Sequence, residues 1–441
     1  MTTIAISGSV DRQGLAQQLE EARARTLLLL APLSDTDLRA QHDSLMSPIL
    51  WDLGHIAHFE ELWLTRNLDG PVEFVEMPGL YNPFEHPRTD RGSLELPGLT
   101  HCVRVMDDIR RRVLDRLARA DFDSTRLLRG GYVYRMVLQH EYQHNETILQ
   151  TLQLKQGAPY APAIRYDIPQ LVRRLEPTRA GAMAYFPGGD VEIGTDDRST
   201  AYDNERPRYR LSLAPFWMDV FPVTNGEFAD FIAAGGYSIG ELWSDAGWAW
   251  LQKSGVSRPK YWERVDGAWV TRSMDRVTRV QPMHPVCHVC YYEAEAFARF
   301  AGKRLPTEAE WEAAAAWDPE TAGARIYPWG EDPATKDRAN IDQLSFGTAP
   351  VGSYALNWSP IGCYGMIGDV WEWTSSDFGP YPGFESFPYP EYSEAFFGSE
   401  YKVLRGGSWA TRPRAIRNTF RNWDFPIRRQ IFSGFRCARD A

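Results

Sequence analysis

The chain has 441 residues, of which 43% are hydrophobic, and a formal net charge of −10 at pH 7. This length predicts two domains, because a single domain holds roughly 150 residues, and the acidic balance argues against nucleic acid as a partner. Five cysteines are too few for a disulfide framework, and no apolar run is long enough to span a membrane. We therefore expect a cytoplasmic protein whose partners are small molecules, not nucleic acid or a membrane.

Amphipathic periodicity predicts four helices in the first third of the chain. They lie near residues 11–33, 46–67, 98–120 and 131–154. Four such helices form a bundle. Residues 157–182 contain four prolines and no sustained period, which is typical of a linker. We therefore place a helical domain at residues 1–156, a linker at 157–182 and a second domain at 183–441.

The second domain has short apolar runs and many glycine and aromatic residues, which indicates irregular β structure. One helix is expected over residues 291–317. Its second half follows a capping box that Thr307 and Glu310 form.

The sequence HEYQH at residues 140–144 is the most distinctive motif of the helical domain. His140 and His144 lie four residues apart, so their imidazoles share one face of the fourth helix. Val137, Ile148 and Thr151 lie near that face, whereas Glu141, Asn145 and Glu146 point elsewhere. We therefore expect the imidazoles to face the interior. HEYQH also matches the HExxH motif of zinc peptidases, in which the glutamate is the general base. Two histidines without a metal are a further alternative.

Seven phrases in the second domain carry a family resemblance. They are FPGGDVEIGT (186–195), VTNGEFADFI (223–232), GKRLPTEAEWEAAA (302–315), YPWGE (327–331), GDVWEWTSS (368–376), VLRGGSWA (403–410) and GFRCARD (434–440). Together they resemble the formylglycine-generating-enzyme (sulfatase-modifying-factor) fold, a C-type-lectin-like scaffold with little regular structure. Formylglycine-generating enzymes keep two redox cysteines shortly after the GGS-aromatic phrase, where this chain has Thr411 and Ile416. That chemistry is therefore not expected here.

The first domain resembles a DinB-like four-helix bundle, so the fold class implied for the chain is α+β. Four phrases are similar to those of the ergothioneine-biosynthesis sulfoxide synthases, which combine the same two domains. They are MSPILWDLGHIAHFEELW (46–63), HPRTDR (86–91), HEYQHNET (140–147) and FRNWDFPIRRQIFSGFR (420–436). In that family three histidines bind a non-heme ferrous iron, and the matching residues are His55, His140 and His144. His58 lies one turn from His55, and helical periodicity does not separate the two.

The resemblance implies an iron(II)- and O₂-dependent enzyme that joins γ-glutamylcysteine to hercynine, which is trimethylhistidine, and forms a sulfoxide. Residues that match the γ-glutamylcysteine site are Arg88, Arg91, Asp424 and Arg428, and those that match the hercynine site are Gln143, Tyr392, Asn422 and Trp423. Tyr389 matches the catalytic acid, and Tyr392 could be confused with it. A phenol of ordinary pKa, about 10, stays protonated at neutral pH and can donate a proton.

Three other functions remain open at this point. The thiol substrate could be free cysteine, HEYQH could belong to a zinc hydrolase, and the second domain could be a lectin-like binding module without catalysis.

Overall fold

The computed structural model of the protein describes residues 10–68, 79–165 and 181–441. The chain divides into two compact units. The helical unit comprises Met1–Ala163 and Asp197–Ala201, and the C-terminal unit comprises Ile164–Asp196 and Tyr202–Ala441. The sequence placed Asp197–Ala201 in the second domain, but this segment clusters with the helical unit. Most of the predicted linker, residues 166–180, lies outside the described residues, so the domain bounds stay a prediction.

In the part of the helical unit that the structure describes, the α-helices are the four predicted ones and one short helix between the first two. They are α1 (Arg12–Leu30), α2 (Asp35–Arg39), α3 (Ile49–Leu64), α4 (Leu99–Leu117) and α5 (Tyr132–Gln153). α1 begins at Asp11, whose carboxylate accepts the backbone N–H of Gly14, and α3 begins directly after Pro48. None of the helices in the described part of the chain is long and apolar enough to cross a membrane.

Within its described residues, the C-terminal unit contains four α-helices of about three turns or fewer. They are α6 (Asn225–Ala233), α7 (Asp245–Ser254), α8 (Tyr291–Phe300) and α9 (Glu308–Ala316). The single helix predicted over residues 291–317 is wrong, because the chain leaves α8 through Gly302, at φ +65°, and Pro306 precedes α9. The predicted capping box is confirmed, since Thr307 and Glu310 bond each other's backbone N–H groups at 2.8 and 3.2 Å. The helices α6 and α7 were not predicted from the sequence.

The strands of the C-terminal unit are short and, within the described residues, form five small sheets. The strands are β1 (Met183–Phe186), β2 (Gly189–Ile193), β3 (Tyr209–Leu213), β4 (Phe216–Asp219), β5 (Trp262–Val265), β6 (Ala268–Ser273), β7 (Arg276–Arg279), β8 (Trp317–Asp318), β9 (Gly323–Ala324), β10 (Trp371–Phe378), β11 (Gly398–Arg405), β12 (Asn422–Asp424), β13 (Ser433–Gly434) and β14 (Ala438–Asp440). The largest sheet has the order β12-β11-β10-β13, in which β11 is antiparallel to both of its neighbours. The predicted α+β class with little regular β structure is confirmed.

Buried ion pairs connect this largest sheet to α9. Arg405 of β11 is fully buried and binds Glu308 and Glu312 at 2.7 and 2.5 Å. Arg421, directly before β12, binds Glu308 at 2.6 Å and the carbonyl of Asn204 at 2.8 Å. Because buried guanidinium groups must be paired, these bonds fix where β12 begins. They thereby position the predicted substrate residues that β12 carries.

Candidate metal centre

Three histidines from two helices meet inside the helical unit. His140 and His144 lie on one face of α5, and His55 lies on α3. One possible ligand nitrogen from each lies within 4.8 Å of the others, and the ring centroids are 4.5 to 5.1 Å apart. His55 and His140 are 7% and 8% exposed. Among the described residues this is the group suited to hold a metal ion, and His58 does not belong to it.

The surroundings of the three imidazoles favour metal binding. The Nδ1 atom of His55 lies 2.9 Å from the carbonyl oxygen of Tyr81, which leaves Nε2 for a metal. The Nδ1 atom of His144 lies 3.5 Å from a carboxylate oxygen of Asp52, which is 1% exposed. Such carbonyl and carboxylate partners orient the histidine ligands of metals and make them more basic. Burial, together with the neighbouring His144, lowers the pKa of both His55 and His140 well below the usual value. Both imidazoles are therefore neutral at neutral pH, as a metal ligand must be.

Aromatic residues enclose the group and fix its rings. Trp51 stacks on His55 with ring centroids 5.0 Å apart, and Phe59 stacks on His140 at 3.7 Å. A Cβ atom at Gly54 would lie 2.0 Å from the ring of Tyr81. Glycine at this position therefore lets Tyr81 approach α3 and place its carbonyl beside His55.

The opposite face of α5 is also buried. Glu141, Asn145 and Glu146 point away from the three histidines as predicted, but they are only 2%, 0% and 7% exposed. Glu141 accepts hydrogen bonds from Arg23 at 3.0 Å and from Thr26 at 2.7 Å. Burial alone would raise the pKa of Glu141, but the nearby arginines lower it. The carboxylate of HEYQH is therefore ionised and engaged in the bundle core.

The two predicted substrate arginines lie in a 3₁₀ helix, Arg88–Ser93, of the loop before α4. Arg91 is 5% exposed, donates to Ser47 at 2.7 Å and lies 3.5 Å above the ring centroid of Trp51. Burial lowers its pKa to about 10. Arg88 is exposed and lies 3.5 Å from the carbonyl of Leu45. Arg91 thus supports the ring that packs on His55, whereas Arg88 faces solvent.

The two predicted tyrosines lie in a short loop of the C-terminal unit, residues 387–393, which we call the tyrosine loop. Tyr389 is 7% exposed, and its ring centroid is 6.2 Å from that of Tyr392. Tyr392 meets Trp423 edge to face at 6.0 Å, and Trp423 stacks on Phe378 at 4.1 Å. The structure thus brings Tyr389, Tyr392 and Trp423 into one aromatic cluster.

The other predicted substrate residues of this unit lie on or just after β12. Neighbouring residues of a strand point to opposite faces of a sheet, so Asn422 and Asp424 lie on the face opposite Trp423. Arg428 forms a 3.2 Å ion pair with Asp424. The ion pair uses the Nε atom of Arg428, whereas its Nη1 atom is buried without a hydrogen-bond acceptor. Gln143 lies in the helical unit on α5, between His140 and His144 in sequence.

The cysteine positions agree with the absence of formylglycine chemistry. Thr411 and Ile416 are 4% and 1% exposed, and the Thr411 hydroxyl accepts the backbone N–H of Ser408 at 2.9 Å. No disulfide joins Cys287 and Cys290, and burial raises the pKa of Cys290 well above the usual value. A thiol held in its neutral form is a poor nucleophile.

Sequence reasoning missed Asp52 and Tyr81, which support the histidines. Asp52 could have been found, because an acid three residues before His55 lies one turn away on the same helix. Tyr81 acts through its carbonyl group, which every residue has, so its side chain gives no signal.

Comparisons with known proteins agree with both halves of the chain. A family model described as the sulfatase-modifying factor enzyme 1-like domain matches residues 169–441, and a DinB superfamily model matches residues 18–148. The hercynine oxygenase of Mycobacterium tuberculosis is 44% identical over 429 residues, which cover 97% of this chain and 98% of that protein. The chain belongs to the hercynine oxygenase family. The hercynine oxygenase of Mycolicibacterium thermoresistibile is also 44% identical and covers 100% of this chain and 97% of its own length.

Membership in the hercynine oxygenase family makes the chain an oxidoreductase and confirms the resemblance found in the sequence. Similarity to the formylglycine-generating enzyme of Thermomonospora curvata is lower and partial. That protein is 32% identical over 63% of this chain and 99% of its own length. The histidines of α3 and α5 belong to the DinB match and not to the sulfatase-modifying-factor match.

Proposed function

We propose that the chain is an iron(II)- and O₂-dependent sulfoxide synthase of ergothioneine biosynthesis. It joins the thiol of γ-glutamylcysteine to the hercynine imidazole carbon that lies between the two nitrogens, and it oxidises the new thioether to a sulfoxide. One atom of O₂ ends in the sulfoxide and the other in water, and the thiol and the imidazole supply the four electrons. The observation that carries this proposal is the group of His55, His140 and His144 in a chain 44% identical to a hercynine oxygenase.

The donor set supports ferrous iron as the metal. Three neutral imidazoles leave half of an octahedral coordination sphere open, which suits a metal that must bind both O₂ and a substrate. When bound, ferrous iron supplies the O₂ chemistry. His55, His140 and His144 hold it, while Tyr81 and Asp52 orient two of these rings.

The contacts of Glu141 argue against a zinc hydrolase. In an HExxH hydrolase the glutamate must reach the metal-bound water as a base. Here both of its oxygens are engaged, one by Arg23 and Thr26 and the other near Arg110 at 3.4 Å. HEYQH therefore matches the sequence motif of the peptidases, but its glutamate forms ion pairs and a hydrogen bond within the bundle core.

We assign Arg88, Arg91, Asp424 and Arg428 to γ-glutamylcysteine. This substrate carries two carboxylates and an amine, and the planar guanidinium group of arginine binds carboxylates through paired hydrogen bonds. Arg428 supports the assignment best, because its buried Nη1 atom lacks an acceptor and a ligand carboxylate would satisfy it. Free cysteine offers one carboxylate fewer and is the alternative thiol.

We assign Gln143, Tyr392, Asn422 and Trp423 to hercynine. Its trimethylammonium group accepts and donates no conventional hydrogen bond, so aromatic faces bind it best. Tyr392 and Trp423 meet edge to face at 6.0 Å, as in a partial aromatic cage. Gln143 follows His140 by three residues, so the two lie near the same face of α5.

Tyr389 is the proposed proton donor. A proton delivered to the oxygen being reduced favours attack of sulfur on the imidazole carbon. Without it, the thiol and O₂ combine to the sulfinate, which contains both oxygen atoms. Tyr389→Phe removes only a hydroxyl group, so we expect O₂ uptake to continue while γ-glutamylcysteine sulfinate replaces the sulfoxide.

Metal analysis of protein purified without oxygen is the first test. We expect iron in the parent and little metal in His55→Ala, His140→Ala or His144→Ala. His58→Ala is the matched control, since it removes a histidine from the same helix as His55 and should keep its iron. Zinc in the parent, or loss of iron in the His58 variant alone, would contradict the assignment.

Product analysis by mass spectrometry is the second test. With hercynine and O₂, γ-glutamylcysteine should give the sulfoxide faster than cysteine does. Tyr392→Phe is the control for Tyr389→Phe, and sulfoxide formation at the parent rate by Tyr389→Phe but not by Tyr392→Phe would reverse their roles.

A further inference from the structure

One buried carboxylate holds both ends of the tyrosine loop. An oxygen of Asp203 accepts the backbone N–H of Phe387 at 3.1 Å, and its other oxygen accepts the hydroxyl of Ser393. Phe387 precedes Tyr389 by two residues, and Ser393 directly follows Tyr392. Asp203 and Ser393 are 1% and 0% exposed, so water does not compete for these bonds. One side chain therefore connects both ends of the loop to the segment that contains Asp203.

The neighbours of Asp203 contact the same loop. Asn204 donates to the hydroxyl of Ser393 at 3.0 Å. The ring of Tyr202 stacks on Tyr392 at 4.3 Å, with an angle of 22° between the ring planes. Arg206 lies 5.9 Å from the ring centroid of Phe387. Residues 202–206 thus form a clamp on the loop, and we call them the clamp segment.

The clamp segment is itself fixed to the chain that leads into β12. Glu205 is fully buried, and it accepts hydrogen bonds from Arg417 and Thr419, each at 2.7 Å. It also accepts the backbone N–H of Tyr202 at 2.8 Å. Arg421 donates to the carbonyl of Asn204 at 2.8 Å. Because these anchors do not involve the carboxylate of Asp203, a change at Asp203 should release the loop and leave the clamp segment in place.

We propose that Asp203 is a positioning residue, which holds the tyrosine loop so that the hydroxyl of Tyr389 lies where the proton is needed. This inference rests on the proposed function, in which Tyr389 is the donor. A hydrogen bond to an ionised acceptor is roughly twice as strong as a neutral one, and a displacement of about 1 Å in a reacting group can cost about a hundredfold in rate. Asp203 thereby influences whether the thiol sulfur bonds to the imidazole carbon, which leads to the sulfoxide, or is oxidised to the sulfinate.

Asp203→Asn tests the inference through the ratio of the two products. The variant keeps the shape but places an N–H group, or a weaker neutral acceptor, opposite Phe387 and Ser393. At saturating substrates we expect unchanged iron content, continued O₂ uptake and a sulfoxide-to-sulfinate ratio about tenfold or more below that of the parent, as for a lost charge-assisted hydrogen bond. A general loss of folded enzyme would lower both products together and leave their ratio unchanged.

Two further variants sharpen the comparison. Ser393→Ala removes one hydroxyl from the loop end and should lower the ratio in the same direction, so it decides the question if Asp203→Asn does not fold. Asp369→Asn is the control, because Asp369 is a half-buried aspartate of the same unit that also accepts a backbone N–H, that of Ala349, at 2.7 Å. Its φ of +61° suits asparagine as well as aspartate. We expect this control to keep the parent ratio.

The double variant Asp203→Asn/Tyr389→Phe shows whether Asp203 acts through Tyr389. If it does, the double variant gives no lower ratio than Tyr389→Phe alone. If Tyr389→Phe diverts the product while Asp203→Asn and Ser393→Ala keep the parent ratio, the inference is overturned and the proposed function stands. If Tyr389→Phe itself keeps the parent ratio, the proposed role of Tyr389 fails, whatever the Asp203 variants do.

Discussion

Arg110→Ala should destabilise the helical unit far more than Arg111→Ala, although the two arginines are neighbours on α4. Arg110 is 7% exposed, and its guanidinium binds the two carboxylate oxygens of Glu60 at 2.6 and 3.0 Å. It also lies 3.4 Å from Glu141. Arg111 pairs with Asp108 at the surface, where its side chain is 70% exposed. The comparison holds helix and residue type constant and varies only burial.

The magnitude follows from what each substitution leaves behind. Without Arg110, the buried carboxylates of Glu60 and Glu141 share Arg23. Loss of one partner of a buried ion pair costs about 3–5 kcal/mol, whereas an exposed pair contributes about 0–1 kcal/mol. At about 2–4 °C per kcal/mol for a unit of this size, Arg110→Ala should lower the unfolding midpoint by roughly 6–20 °C and Arg111→Ala by at most about 4 °C.

Thermal unfolding of the full chain, followed by far-ultraviolet circular dichroism, measures the two midpoints. Amide hydrogen exchange then assigns the loss, because protection should fall in α1, α3, α4 and α5, which the network joins. Equal shifts for the two variants would refute the reasoning. They would mean that the network of Arg23, Glu60, Arg110 and Glu141 does not support the helices that carry the histidines.

Three further outcomes are expected. Asp52→Asn should weaken iron binding about 10- to 100-fold by removing the carboxylate beside His144, as competition with a chelator would measure; unchanged affinity would mean that the 3.5 Å contact is incidental. Arg88→Ala should raise KM for γ-glutamylcysteine about 10- to 100-fold and leave KM for hercynine nearly constant; equal changes would make the loop structural. Burial raises the pKa of Asp203 from 3.8 to about 6. Its contribution to the free energy of unfolding is therefore fully present below about pH 4 and lost as the pH rises through about 6, a change on the order of 2–3 kcal/mol. Across this range, chemical unfolding should show a larger loss of stability in the parent than in Asp203→Asn, because the other titrating groups are common to both proteins. Parallel curves would contradict the prediction.

Helical spacing alone predicts two of the three histidines of the metal site. The four-residue spacing places His140 and His144 on one face of α5 without further information. The third histidine is different, because His55 and His58 are one turn apart and a helical wheel separates them by only about 60°. The resemblance indicated His55, and the structure brings His55 to the other two. Which of two nearby positions meets a neighbouring helix depends on tertiary packing, which no local period describes.

The error over residues 291–317 has a different cause. The first half has a helical period, and the alanines before Trp317 in the second half have high helix propensity. Gly302 and Pro306 lie between them and are ordinary signals for the end of one helix and the start of the next. Gly302 and Pro306 therefore indicate two helices, and they outweigh the helix propensity of the residues on either side.

The contacts of Asp203 could not have been predicted from local sequence, because its two loop partners are 184 and 190 residues away. The raised pKa of Asp203 helps to explain why an aspartate occupies this position. At neutral pH the ionised carboxylate is less favourable in the folded chain than in the unfolded one. The hydrogen bonds that it accepts, from Ser393 above all, and the nearby Arg206 only partly offset the effect of burial. Global stability therefore does not explain a charged group at this position. Functional sites are where a fold departs from its most stable sequence. A residue that lowers the stability of the fold and also holds the tyrosine loop therefore fits a positioning role.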